Sequence, residues 1–516
     1  MRRLPCLARS AGPLLVLALL GLPAASTAGP LRMFGFDASA FGSANSQVAL
    51  GRGLGVLFSN PALLARQPDQ FSGYYLTYKE SMFADLMGRP ENSDIPLSFY
   101  KSDVSQNAGG IPDRPLPTVE LPIARADNHP DVWANYIGVG LVQSLDFWWW
   151  LAGLKLGVLF LLPSDGMFNA QVGYADEREQ YFSNTIHFAR FGEWDRTLGA
   201  LVGLAYSPTI WADWISVGVA VDVALVTDLT TQLYTPDVMN QNYATMGSKL
   251  SGTSGMRPIV GLSGRPLDWL ALGLTFRERK FTATNAVASL KLWDDHVTDE
   301  EATIPRTIEQ KHQLVLDYEP LEIAASVGVE FEKVWAQATY TWSHWHNYFD
   351  KHRQHPEEAA VFPRTNAGSP AIDDSPYEFG DTHSLRVSAG LRYLEDLALV
   401  AGFAWAPSPV PDQVGRTSYV DSDVLGVSLG HHADFSIGDA AFSADVGLQF
   451  WYMFPITVHK DPTQIRDEFR DDAVTALEGL PMPEASGLQT NNPGFPGYDA
   501  GGWVFSAAVS LTYRFQ

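Results

Sequence analysis

The sequence predicts an all-β protein: a transmembrane antiparallel β-barrel of about 14 strands with an N-terminal hatch, or plug, in its lumen. Apolar and polar residues alternate at period two over segments of about ten residues, as in strands with one face in lipid. The connections between these segments are short and long by turns, the plan of periplasmic turns and extracellular loops. After residue 28 no stretch has the length and apolarity of a membrane-spanning helix.

Residues 1–28 read as a secretory signal peptide. Arg2, Arg3 and Arg9 precede an apolar run over 14–22, and the small residues Ala24-Ala25-Ser26-Thr27-Ala28 follow it. That run is too short to span a bilayer as a helix. The single cysteine, Cys6, lies ahead of it, so a mature chain would carry no disulfide and no thiolate site. The formal net charge of −23 argues against a nucleic-acid partner, which would need basic residues to meet phosphates. The acids cluster between apolar segments (Asp294, Asp295, Asp299, Glu300, Glu301; Asp467, Glu468, Asp471, Asp472), which suggests acidic surface loops.

Residues 29–68 do not alternate. They hold Phe34-Gly35-Phe36, Ala40-Phe41-Gly42, 54–58 and Ser59-Asn60-Pro61-Ala62. A glycine-rich apolar segment is unlike a solvated tail, and a lumen is an interior in which it could be packed. Pro61 fixes its own φ and pushes Asn60 out of the α region, a turn signal at Asn60-Pro61.

Residues 69–516 carry the barrel. In the last segment Trp503, Phe505, Ala507, Val509, Leu511, Tyr513 and Phe515 share the face suited to lipid, and Val504, Ser506, Ala508, Ser510, Thr512 and Arg514 the other. The same alternation runs through 215–223, 270–277, 384–393 and 442–450. The second face is small and sparsely charged, which suits a crowded lumen better than solvent. Short connections fall at 146–151, 207–214, 266–269, 332–333, 395–396 and 437–440, and long ones at 79–134, 230–254, 290–320, 347–382, 406–421 and 455–501. Aromatic residues at the segment ends are expected to form two girdles at the headgroup level, Trp148, Trp149, Trp150, Trp211, Trp214 and Trp269 on the turn side, and Tyr340, Trp342, Trp345, Tyr452 and Phe454 on the loop side; core packing is the alternative.

Several blocks together resemble the FadL/TodX family of outer-membrane transporters for long-chain fatty acids and aromatic hydrocarbons. They are Gly35-Phe36, Ala40-Phe41-Gly42 and Phe58-Ser59-Asn60-Pro61-Ala62, then Leu272-Gly273-Leu274-Thr275-Phe276-Arg277, Thr341-Trp342-Ser343, and 386–393 with Ser408-Pro409-Val410-Pro411-Asp412. The likeness implies a fourteen-stranded barrel occluded by an N-terminal hatch. Asn60, Pro61 and Ala62 would be the hatch turn, and a kink in the third strand, over Gly157, Leu159, Leu161 and Pro163, would open the wall sideways. That strand is apolar on both faces toward its upper end, as an oily conduit needs; cover by the hatch would explain it equally.

Sequence motifs for catalysis are not made out: Gly-x-Ser-x-Gly forms no nucleophile elbow, its one match (Gly426-Val427-Ser428-Leu429-Gly430) lying in a block that belongs to the barrel wall, and His-Glu-x-x-His does not occur. No enzyme activity and no cofactor are expected. His344, His346, His352 and His355 crowd one loop edge, a spacing compatible with zinc or nickel or with a solvated loop, and no metal site is assigned. Asp222, Arg277, Arg279, Glu330, Arg386, Arg392 and Asp445 are expected in the lumen. Of these, Arg277, Arg386 and Arg392 are candidate contacts for a fatty-acid carboxylate, against the alternative that they pair with acids and the hatch backbone. The expected partners are hydrophobic small molecules, fatty acids first and aromatic hydrocarbons second, together with outer-membrane lipids. Plug-gated uptake with lateral exit is the functional expectation; a general porin or surface-interaction barrel is the alternative.

Overall fold

The computed structural model describes residues 31–87, 131–146, 152–164, 187–191, 198–208, 214–225, 229–237, 242–253, 255–292, 306–348, 379–414, 419–461 and 496–515. The expected signal peptide, the acidic clusters at 294–301 and 467–472, Trp148 to Trp150, Trp211, His352 and His355 lie outside these residues.

Fourteen antiparallel strands close into one barrel. The wall strands are β1 (Gln70–Leu86), β2 (Asp131–Ser144), β3 (Leu154–Pro163), β4 (Leu198–Tyr206), β5 (Ile215–Leu225), β6 (Met256–Leu267) and β7 (Leu270–Arg277), then β8 (Leu321–Glu330), β9 (Val334–His344), β10 (Thr382–Leu394), β11 (Leu397–Ala406), β12 (Val424–Ile437), β13 (Ala440–His459) and β14 (Gly497–Arg514). Each pairs with its chain neighbours, and β1 closes on β14 from Gln70↔Arg514 to Leu86↔Tyr498. Closure leaves no edge strand, the condition for a sheet to sit in hydrocarbon.

The faces follow the alternation. On β14, Phe505, Val509, Leu511 and Tyr513 are exposed to the outside, while Ser506, Ser510 and Thr512 are buried inside. Val217 and Val219 of β5 and Leu272 and Leu274 of β7 likewise face out, and Ser216, Ala220, Ala271 and Thr275 face in. With no transmembrane helix among the described residues and an apolar outer band, the chain is a β-barrel of the bacterial outer-membrane type.

Two of the expected long loops are not loops. Leu229–Asp237, Asn242–Thr253, Lys280–Leu292 and Arg306–Glu319 form a four-stranded antiparallel sheet, an outward continuation of β5 to β8. The lipid-face signal ends where the membrane ends, but backbone pairing needs no apolar face and runs on. β13, at 20 residues, likewise exceeds the roughly ten a tilted strand needs to cross the bilayer. Trp214 and Trp269 are exposed at the turn side, and Tyr340, Tyr452 and Phe454 at the loop side. Trp345 is the exception: at 5% exposure it is buried among Tyr318, Phe379 and Tyr419 rather than facing lipid.

Residues 31–68 fold as short turns inside the wall: α1 (Leu31–Phe34), α2 (Ala38–Gly42), α3 (Val56–Ser59) and a 3-10 turn (Pro61–Arg66). Phe34, Phe41, Leu54, Leu57 and Leu64 are fully buried there. Each such side chain is worth about 1.5–3 kcal/mol of burial, so this segment holds its place chiefly by apolar contact.

Candidate functional site in the occluded lumen

Asp37 organises the N-terminal segment. Its Oδ1 accepts from the amide of Ala40 at 2.8 Å, capping α2, and its Oδ2 accepts from the amide of Gly55 at 2.5 Å, which ties α2 to the start of α3. Asn60 then ends α3 with extended backbone (φ −160°, ψ 98°), as a residue before proline favours, and Pro61 opens the 3-10 turn. The Asn60 Oδ1 accepts from Ala62 N at 3.1 Å, while its Nδ2 donates to Val48 O at 2.8 Å and to Leu262 O of β6 at 3.0 Å. Asn60, Pro61 and Ala62 thus lie in one turn seated on β5 and β6.

The seat is made of glycine. A Cβ at Gly261 would stand 2.8 Å from Pro61 Cδ, and one at Gly218 would stand 2.5 Å from Ala62 N. Elsewhere around the wall, Gly157 and Gly203 meet Leu64 and Leu57 at 2.8 and 2.7 Å in the same sense, and the backbones of Gly42 and Gly430 touch. Inward glycines on separate strands let the backbone and leucines of the segment lie directly on the wall.

Short turns leave many backbone carbonyls unbonded, and the wall supplies the donors. Thr275 donates to Ser59 O at 2.8 Å, Thr339 to Ser46 O at 2.7 Å, and Gln449 to both Phe34 O and Phe41 O at 2.8 Å. Arg277 donates to Phe58 O at 3.0 Å and Ser59 O at 3.1 Å, pairs with Glu322 at 3.2 Å, and lies over the Phe58 ring at 4.7 Å. Arg386 donates to Met33 O at 2.7 Å and Ala44 O at 2.9 Å. Both candidate carboxylate contacts therefore already hold carbonyls of the segment. Arg392 is elsewhere, at the turn end, donating to Glu330 at 3.0 Å and to Glu332 O at 3.0 Å.

Cavities lie on both sides of the segment. The larger, about 440 Å³, is at the turn end and has a mixed lining, with the charged Arg52, Arg265, Arg392, His432, Asp434 and Asp445 beside Leu50, Leu63, Trp335 and Val400. His432 bridges Asp445 (2.7 Å) and Asp434 (3.2 Å) there. The smaller, about 80 Å³, is at the loop end, between Arg32, Met33 and Phe58 of the segment and Arg277, Glu322 and Arg386 of the wall.

The third strand carries Gly157, Leu159 and Leu161 on its inner face, with Leu159 and Leu161 at 1% and 2% exposure. Its pairing with β2 runs from Ser144↔Lys155 to Tyr136↔Pro163, and with β4 from Leu154↔Tyr206 to Leu161↔Gly199, without a register shift. Leu64 and Leu57 fill the inner side of this wall at Gly157. Leu162 and Pro163 extend past the last β4 pair, and Pro163 has no amide to donate.

A buried charge network crowns the inner face of β5 to β8. Arg257, with no exposed side-chain area, pairs with Glu319 and, at 3.1 Å, with Glu322; Lys280 pairs with Asp222 at 3.0 Å and Glu319 at 3.5 Å; Arg32 reaches Glu319 at 3.4 Å. Asp222 was among the expected lumenal charges; Arg257, Lys280, Glu319 and Glu322 were not. Arg257 could have been found, since it shares the inward period of Ile259, Gly261 and Ser263. The two glutamates flank Pro320 and look like loop residues in sequence. Arg279, expected in the lumen, is exposed instead. The two described histidines of the loop edge meet at Asp381: His344 Nδ1 lies 3.0 Å from it, and it also accepts from the amide of His346. Among the described residues no group of three or more His, Cys, Asp or Glu side chains is set to hold a metal ion.

Solved structures share this architecture. A TodX monoaromatic hydrocarbon channel (deltaS2 mutant) matches over 94% of this chain and 100% of its own, with 14% identity and a TM-score of 0.50. A second TodX channel (deltaS2S3 mutant) matches over 93% and 99%, with 13% identity and a TM-score of 0.50. The fold is that of the TodX channels. The toluene transporter TbuX of Ralstonia pickettii also matches, over 94% of this chain and all of that one, at 12% identity and a TM-score of 0.45. No protein-family model matches the sequence, and no curated protein is significantly similar to it. The likeness read from the residues is met at the level of fold.

Proposed function

We propose that this barrel takes up hydrophobic compounds across the outer membrane, with residues 29–68 as a hatch that must shift for a solute to pass. One observation carries the reading: the lumen is filled by an apolar segment fitted onto inward glycines, with Asn60-Pro61-Ala62 seated on Gly218 and Gly261. An open porin would gain nothing from such a fit. A solute that replaces part of this apolar contact favours the shifted hatch, because a ligand moves an equilibrium only by its differential affinity for the two states. Polar solutes have no such compensation.

Long-chain fatty acids are the first substrate class, and compact aromatic hydrocarbons the second. The arginines above the hatch, Arg277 and Arg386, suit a carboxylate once the hatch carbonyls they now hold are released. The proposed way out is sideways at the upper end of β3, over Gly157, Leu159, Leu161 and Pro163. The apolar inner face of that strand supports this, as does the end of its β4 ladder at Leu161.

Removal of residues 29–68 tests the plug. Barrels that stay heat-modifiable should then admit small hydrophilic solutes and lose selective uptake of labelled oleate. Unchanged solute permeability would favour the general-porin or surface-interaction alternative.

A further inference from the structure

A short described piece of the connection between β3 and β4, residues 187–191, docks on the β11–β12 connection. Its residues His187–Phe188 pair in parallel with Tyr419–Val420 of the β11–β12 connection, in the register His187↔Tyr419 and Phe188↔Val420. Ala189 N adds a bond to Val420 O at 3.0 Å. In a ring of fourteen strands, β4 and β11 are seven apart and so face each other across the lumen. Residues 187–191 are therefore a strap docked on the side of the outer end opposite the strands they connect.

Its fastening is polar. Arg190 pairs with Asp421 at 2.8 Å and donates to Pro407 O at 3.1 Å and Ser422 O at 2.6 Å. The Ser408 hydroxyl braces Asp421 Oδ2 at 2.9 Å. Its underside is apolar. Phe188 and Phe191, at 4% and 3% exposure, belong to the same core as Phe34, Leu54 and Phe58 of the hatch. The strap's partner Tyr419 packs edge-on against Phe379 (5.5 Å) and Tyr348 (5.7 Å), so the anchor is itself held by aromatic rings from the β9–β10 connection. Arg190 also walls the 80 Å³ chamber above Phe58. That space is well below the roughly 300 Å³ of a small-molecule site, so the chamber must widen before it can hold a solute.

We propose that residues 187–191 are an outer gate, latched by Arg190 on Asp421, which must leave residues 419–422 before a solute reaches the chamber above the hatch. This rests on the uptake reading given above. The chemistry makes the gate selective. When the latch parts, its two charges regain water, which offsets much of the lost attraction. The uncovered Phe188 and Phe191 regain nothing from water, but an apolar solute can cover them. Such a solute therefore shifts the population toward the open strap, and a polar one does not.

Paired cysteines test this in a Cys6→Ser background. Phe188→Cys with Val420→Cys places two thiols at register partners; oxidation should stop uptake of labelled oleate and of toluene, and a reductant should restore it. Independently, a single Ala189→Cys should react with a membrane-impermeant maleimide about tenfold faster when Arg190→Gln or Asp421→Asn is added, since a tenfold change in open population is a modest shift. Uptake at full rate through the oxidised pair, or labelling unchanged by both latch variants, would overturn the gate. If the reduced and unsubstituted barrels import neither probe, the uptake reading fails, and the gate is then judged by the labelling alone.

Discussion

Asn60 in the N-terminal segment donates from Nδ2 to the carbonyl of Leu262 in the wall at 3.0 Å, with the Asn60 side chain fully enclosed. The same amide nitrogen bonds Val48 O, and the oxygen caps Ala62 N. One side chain thus joins two parts of the N-terminal segment to the barrel. Asn60→Ala removes all three bonds and should weaken hatch seating by about 2 kcal/mol, the sum expected for a lost cap and an unpaired buried carbonyl. Hydrogen exchange of residues 56–66 should speed up while the strand amides stay protected. Equal exchange in both proteins would remove Asn60 from the seat.

Gly218 should tolerate no side chain. A Cβ there would stand 2.5 Å from the Ala62 amide, a backbone atom with nowhere to move. Gly218→Val should leave the barrel assembled, because the strand itself favours β-branched residues. It should lift the turn at Asn60-Pro61 and raise leakage of small solutes. Gly73, around which a Cβ would meet nothing within 4 Å, is the control; Gly73→Val should be silent.

The proposed sideways exit is tested at the last β3–β4 pair. Leu161 and Gly199 are register partners. Leu161→Cys with Gly199→Cys should form a disulfide that holds the upper end of β3 shut. Oleate uptake should fall at least tenfold on oxidation and recover on reduction. Undiminished uptake in the oxidised protein would send the solute out along the barrel axis.

Lys460 predicts a pH dependence outside the membrane. Burial pushes its ammonium down from 10.5 to about 7, and its Nζ donates to Gln413 O at 2.7 Å. The folded state thus holds the proton less tightly than the unfolded one. Docking of the loop around Gln413 is therefore weakest below pH 7, where the folded Lys460 must be charged, and strengthens as pH rises from about 7 toward 10.5. Exchange of the Asp461 amide, which bonds Val414 O, corrected for its intrinsic rate, should slow from pH 7 to pH 9. Lys460→Met should flatten that trend.

The sequence by itself determined the class of fold, the approximate number of strands, and which side of each strand meets lipid, as on Val217, Leu272 and Phe505. It also marked the Asn60-Pro61 turn. These are local properties: period-two burial and the φ restriction of proline are written in adjacent residues. Only the tertiary structure decided what the inner face touches. The glycines at 157, 203, 218 and 261 look alike in sequence, and register alone assigns Leu64 and Leu57 to the first two and the Pro61–Ala62 turn to the others. The tie of Arg277 to Phe58 O, of Arg257 to Glu319, and of Arg190 to Asp421 joins residues 62 to 231 positions apart. Neither spacing nor composition can choose such partners, because the closure of the barrel, a property of all fourteen strands together, sets their distances.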